Sequence, residues 1–80
     1  RLELEEFSQL FESPTQSIGV VRLRATLAAN VPSGAKLLAQ RVVIVQRPAP
    51  TADAPGGVRA LAAATDAAAE ELSQWLQQVP

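Results

Sequence analysis

Glu3, Glu5 and Glu6 form the densest group of ionisable side chains in the chain. Carboxylates this close can share a proton or hold a cation, provided that a third group converges on them in a pocket that shifts their pKa. The alternation Leu2, Glu3, Leu4, Glu5 argues against that use. It reads as a half-buried strand with Leu2 and Leu4 on one face and the glutamates on the other. Solvation, or cross-strand pairing with Arg22 and Arg24, is the expected role of the cluster; such a pair contributes about 0.2–1 kcal/mol. Asp66 and Glu70 are the second candidate, spaced for one helix face but with no third ligand in view.

Nucleophilic catalysis fares no better. Ser8, Ser13, Ser17, Ser33 and Ser73 have no histidine to activate them, because the chain contains none, and cysteine is also absent. Gly56-Gly57 precedes a helical pattern, but neither the dinucleotide fingerprint nor the phosphate-loop pattern surrounds it. A flexible hinge is the expected role of that pair. No catalytic, cofactor-binding or metal-ligating residue is therefore assigned. Seven basic against eight acidic side chains give no basic stripe for nucleic acid, and Phe7, Phe11 and Trp75 are too scattered to stack bases.

The elements that carry these residues are legible in outline. Eighty residues bound a single domain. A first strand is expected over about residues 1–12, with a phase break at Glu5-Glu6, where Phe7 leaves the Leu2/Leu4 register. The break is either a strand end or a β-bulge; Phe11 keeps the parity of Phe7, which favours the bulge. Ser13-Pro14-Thr15 supplies a turn. A second strand is expected over 17–28, with Val21, Leu23, Ala25 and Leu27 on one face and Arg22, Arg24 and Thr26 on the other. Asn30 to Gly34 then reads as a five- or six-residue hairpin connection.

A third strand is expected over 36–46. Its centre, Val42-Val43-Ile44-Val45, is apolar on both faces, so alternation does not pick the core side. Arg41 and Arg47 flank it, as solvated strand ends or as the polar rim of an interface. Pro48 and Pro50 end the strand. A helix follows over about 55–78, with Asp53 as its N-cap and Pro55 in its first turn. Apolar positions recur at Val58, Leu61, Ala62, Thr65, Ala68, Ala69, Leu72, Trp75, Leu76 and Val79. Packing is expected through Leu61, Thr65, Ala68, Leu72 and Trp75, with Arg59, Asp66, Glu70 and Gln74 in solvent. Trp75 either plugs the core or sits at a rim. The fold class is α+β: an antiparallel sheet of about three strands with one long C-terminal helix on one face.

Three segments carry a resemblance to a known family. They are Leu2-Glu3-Leu4-Glu5-Glu6-Phe7, then Leu37-Leu38-Ala39-Gln40-Arg41 leading into a strand, then Pro48-Ala49-Pro50 and Gly57-Val58-Arg59-Ala60-Leu61 through Trp75. In order, spacing and residue type they resemble the C-terminal part of the ABC-type transport auxiliary lipoprotein family, over nearly the whole chain. Val43 departs from it, since members often carry an aromatic there. The resemblance implies that residues 1–80 are the C-terminal portion of one such domain. It implies a non-enzymatic accessory lipoprotein without cofactor, held at the periplasmic side of a Gram-negative envelope, at the outer membrane, by an upstream lipid anchor. It implies as partner a mammalian-cell-entry-type substrate-binding protein or another component of a lipid transporter, with self-association as a further option. An envelope structural or interaction domain without a transport role is the alternative. A hydrolase with upstream catalytic residues is the third reading.

Overall fold

The computed structural model describes residues 1–78. Three antiparallel strands, β1 (Leu2–Ser13), β2 (Gln16–Val31) and β3 (Gly34–Pro48), form one sheet in the order β1-β2-β3, and a single helix, α1 (Ala54–Gln78), follows. This is the expected α+β class. Val79, the last apolar position expected on the helix, lies outside the described residues.

The β1–β2 pairing explains the phase break. Leu4 pairs with Leu23 and Glu6 with Arg22, so Glu5 is the extra residue of a β-bulge. Beyond it, Phe7 pairs with Val21 and Phe11 with Ser17, which returns the aromatics to the face of Leu2 and Leu4. Glu5 meets two guanidinium groups: Arg22 Nε lies 2.9 Å and Arg24 Nε 3.1 Å from its carboxylate oxygens. Glu3 is 3.1 Å from Arg1. Of the acidic cluster, Glu5 is paired across the strands, Glu3 pairs locally with Arg1, and Glu6 has no ion-pair partner among the described residues. The Ser13-Pro14-Thr15 turn is closed by the Thr15 N–H donating to Ser13 Oγ at 3.2 Å.

The second hairpin is tighter than its sequence suggests. Asn30 pairs with Ala35 and Val31 with Gly34, leaving Pro32-Ser33 as the connection in place of five or six residues. Gly34 makes this possible by adopting φ 124°, a backbone that other residues avoid. The β2–β3 ribbon consequently extends past the end of β1, and the molecule measures 55 × 21 × 16 Å.

β3 resolves the ambiguity of its apolar centre. Val43 pairs with Leu23 and Val45 with Val21, and both valines are buried under α1. Val42 and Ile44 face the opposite way, beside Arg24 and Arg22.

The helix packs through Ala68 and Leu72 as expected, but its most buried line runs through smaller residues than the expected Leu61 and Thr65. Its buried line is Gly56, Gly57, Ala60, Ala64, Ala68 and Leu72. Leu61 and Trp75 are half-buried beside the core, and Thr65 is exposed. The physical reason is distance. A helix reaches a sheet closely only through small side chains, and Gly19 on β2 makes room for it: a Cβ there would stand 2.9 Å from the Ala60 Cβ. Arg59, Asp66, Glu70 and Gln74 are exposed, as the periodicity predicts.

Gly56 and Gly57 are packed positions, not a hinge. Both lie in the first turn of α1; a Cβ on Gly56 would meet the Thr51 carbonyl, and one on Gly57 would meet the Gln9 amide. Gln9 Nε2 donates to Ser17 Oγ at 3.1 Å and to the Asp53 carbonyl at 2.9 Å, tying β1 to the helix start. Asp53 caps α1: its Oδ1 accepts the Gly56 N–H at 2.8 Å and the Thr51 hydroxyl at 2.6 Å.

These contacts predict a pH dependence. The Thr51 hydroxyl, and after it the Gly56 N–H, holds the Asp53 carboxyl below its ordinary value of 3.8. The hydrogen bond from Arg22, aided by the charge of Arg24, holds Glu5 below 4.5. A carboxyl whose pKa is lowered on folding adds stability above its unfolded value and loses it as pH falls through the folded one. Stability is therefore expected to be flat above about pH 5 and to fall towards about pH 3. Asp53→Asn keeps a capping oxygen but cannot titrate. Urea unfolding across this range should show a smaller acid-side loss in that variant; an unchanged loss means that folding does not lower the pKa of the Asp53 carboxyl.

Candidate interaction surface

Chemistry-bearing side chains do not converge. No group of three His, Cys, Asp or Glu with metal-holding geometry exists among the described residues. Asp66 and Glu70 sit on the solvent face of α1. Arg41, one flank of the apolar run, donates to Glu71 of the helix at 2.9 Å, and Arg47 donates to the Gln46 carbonyl. What the fold does assemble is apolar surface that it leaves uncovered.

The first such surface lies between β1 and α1. The helix rests on β2 and β3 and barely reaches β1. Leu2, Leu4 and Phe7 point to the helix side of the sheet, yet Leu4 stays 60% and Phe7 52% exposed. They form one wall of a groove. The other wall is the flank of α1: Val58, Leu61, Ala62 and Thr65, continuing through Ala69 and Leu72 to Leu76. Val58 is 67% exposed. Gln9 bounds the groove at the helix start, and Trp75, with Leu2 and Leu27, lines its other end. Trp75 thus packs against the core and also borders this opening.

The second surface is the outer face of the sheet. Ile44, 53% exposed, and Val42 lie there with Leu10 and Ile18, beside the Arg22 and Arg24 guanidiniums. No element among the described residues covers that face; α1 is the single helix and occupies the other.

Sequence reasoning placed Thr65 in the packing line with Leu72, and gave Val58, Ala62 and Leu76 only as further apolar positions of the same helical stripe. The missed signal is the width of that stripe. At 100° per residue, the apolar positions from Ala60 round to Ala62 span roughly 200°, about twice what a helix needs to face one core. Half of the stripe meets the sheet and half lines the groove. No helix among the described residues is long and apolar enough to cross a membrane. No family model, curated protein or solved structure matches the chain.

Proposed function

We propose that this chain is the C-terminal portion of a non-enzymatic accessory lipoprotein of the ABC-type transport auxiliary kind, working in lipid transport across a Gram-negative envelope by holding a transporter component. The observation that carries the reading is the combination of a thin sheet, one helix and apolar side chains left open on both faces. A soluble monomer rarely leaves contiguous apolar patches of several hundred Å2 open. The resemblance of the three sequence segments supplies the class of partner: a mammalian-cell-entry-type substrate-binding protein or another subunit of that transporter. The absence of histidine and cysteine removes the commonest catalytic groups from this part of the protein.

The outer face is the contact assigned to that partner. Ile44→Asp places a charge there without touching the packing under α1, since Ile44 points away from the helix. The test uses the full-length protein carrying an affinity tag. Ile44→Asp is expected to keep the far-ultraviolet circular dichroism and to lose co-purification with the transport complex, while the unaltered protein retains it. Radiolabelled palmitate should enter the same protein. Co-purification that survives the added charge overturns the contact. Association with envelope proteins that include no transporter subunit replaces the transport role with a structural one.

A further inference from the structure

We propose that the open edge of β1, with the groove beside it, takes an extended segment of a partner protein in which arginine or lysine alternates with bulky apolar residues. This rests on the docking role argued above, but not on the transport assignment.

Three observations converge. The first is the free edge. Among the described residues β1 borders the sheet, and it runs for 12 residues without proline or lysine. Arg1 and Thr26 exchange both of their main-chain hydrogen bonds, at 2.7 and 2.8 Å. In an antiparallel ladder the bonded pairs alternate. The next pair, Leu2 with Ala25, is therefore not bonded to each other, and neither is Leu4 with Leu23. The N–H and C=O groups of Leu2 and Leu4 consequently face the open side, where an added strand finds them.

The second observation is the groove. A strand laid beside β1 directs alternate side chains to the helix side of the sheet. There they meet Leu2, Leu4 and Phe7 on one hand and Val58, Leu61 and Leu76 on the other, all apolar and, apart from the half-buried Leu61, open. Bulky apolar side chains fit that half of the pattern.

The third is charge, which decides the other half. β1 carries Glu3, Glu5, Glu6 and Glu12 and no cation. Glu3 and Glu6 lie on the outer face, and Glu5 is engaged by Arg22 and Arg24. Among the described residues, Glu6 and Glu12 have no ion-pair partner. A strand that sends cations to the outer face reaches Glu6, and Glu12 adds negative charge further along the same edge strand. β2 already satisfies β1 in this way from the inner side, with Arg22 and Arg24 outward and Val21, Leu23 and Ala25 beneath the helix.

The same pattern rejects a second copy of this chain. A β1–β1 pair brings glutamates together from both edges, a like-charge contact. The other edge, β3, has its arginines on the wrong side. Arg41 and Arg47 share the helix face with Val43 and Val45, while Val42 and Ile44 occupy the outer face where cations are needed. Selectivity thus comes from repulsion of the wrong strand as much as attraction of the right one.

The experiment uses the full-length protein and fluorescein-labelled synthetic peptides of about nine residues, long enough to span the edge strand. One alternates arginine with leucine. The second replaces arginine by glutamate. The third keeps the arginines but carries proline at alternate leucines, which removes main-chain donors. Fluorescence anisotropy is expected to show the arginine peptide binding at least about tenfold more tightly than either control. Glu6→Lys combined with Glu12→Lys should abolish or invert the preference between arginine and glutamate peptides, with circular dichroism unchanged. Leu4→Asn should weaken the arginine peptide without changing that preference. Equal binding of the arginine and proline peptides overturns the proposal, because only general charge attraction is then at work. A preference untouched by the lysine pair also overturns it. Absence of binding does so too, and places another occupant on the edge, either a second copy or the protein's own chain; sedimentation at several concentrations tells those two apart.

Discussion

Gly19→Val is expected to lower the melting temperature by about 10 °C or more, although valine is a better strand former than glycine. Strand propensity alone predicts a gain. The packing predicts the opposite, because a Cβ at position 19 stands 2.9 Å from the Ala60 Cβ and 2.9 Å from the Leu61 main-chain nitrogen. Those atoms belong to the helix itself and move only if α1 lifts from the sheet. Lifting opens gaps over Val21, Val43, Ala64 and Ala68, which together make the centre of the core. Overpacking of this kind costs typically 1–3 kcal/mol. In a domain of this size, each kcal/mol shifts the midpoint by roughly 4–8 °C. Ala28→Val is the control, on the same strand but at an exposed position. It is expected to be neutral or slightly stabilising. A Gly19→Val protein that melts at or above the parent temperature refutes the close approach of α1 to β2.

The same close approach explains which parts of the fold could be read from residues alone. Alternation is a local signal, so it located the strands and even the bulge: Phe7 and Phe11 share a parity that Leu2 and Leu4 lack, and Glu5 is the residue that absorbs the shift. The Arg22 and Arg24 partnership with Glu5 follows from that register. Asp53 as a cap is local too, since a capping oxygen needs only the N–H three residues on. Loop length was not legible between β2 and β3. Asn30, Pro32, Ser33 and Gly34 are all turn formers, and which of them turn depends on how far the strands stay paired.

The face of β3 that becomes core was open for a different reason. Val42, Val43, Ile44 and Val45 are equally apolar, and only the side taken by α1 separates them. The candidate surface follows from this tertiary choice as well. Because α1 settles over β2 and β3, Leu2, Leu4 and Phe7 lose the cover that their alternation promises. No sequence pattern states where across a sheet a helix lies. The excess width of its apolar stripe was a usable hint, since one sheet face cannot bury Ala60, Ala64 and Ala68 together with Val58, Ala62 and Leu76.

Helix phase also sets the sharpest comparison between two single substitutions. Leu72→Ala is expected to cost roughly 2–5 kcal/mol, the range for truncating a buried leucine. Leu72 is the largest side chain that α1 buries, 9% exposed, at the end of a line otherwise made of glycine and alanine. It closes the core next to Trp75, and nothing small beside it can swing in to refill the space. Thr65→Ala is expected to be neutral or slightly stabilising. Thr65 lies seven positions earlier on the expected packing stripe, yet it is exposed, and its hydroxyl spends its donor on the Leu61 carbonyl at 2.7 Å. Alanine is the better helix former by up to about 0.7 kcal/mol. Guanidinium unfolding of both variants reads the difference directly. If Thr65→Ala costs as much as Leu72→Ala, α1 is rotated towards β1. The groove would then be closed in the free protein, and the edge of β1 would lose the apolar wall on which the docking argument depends.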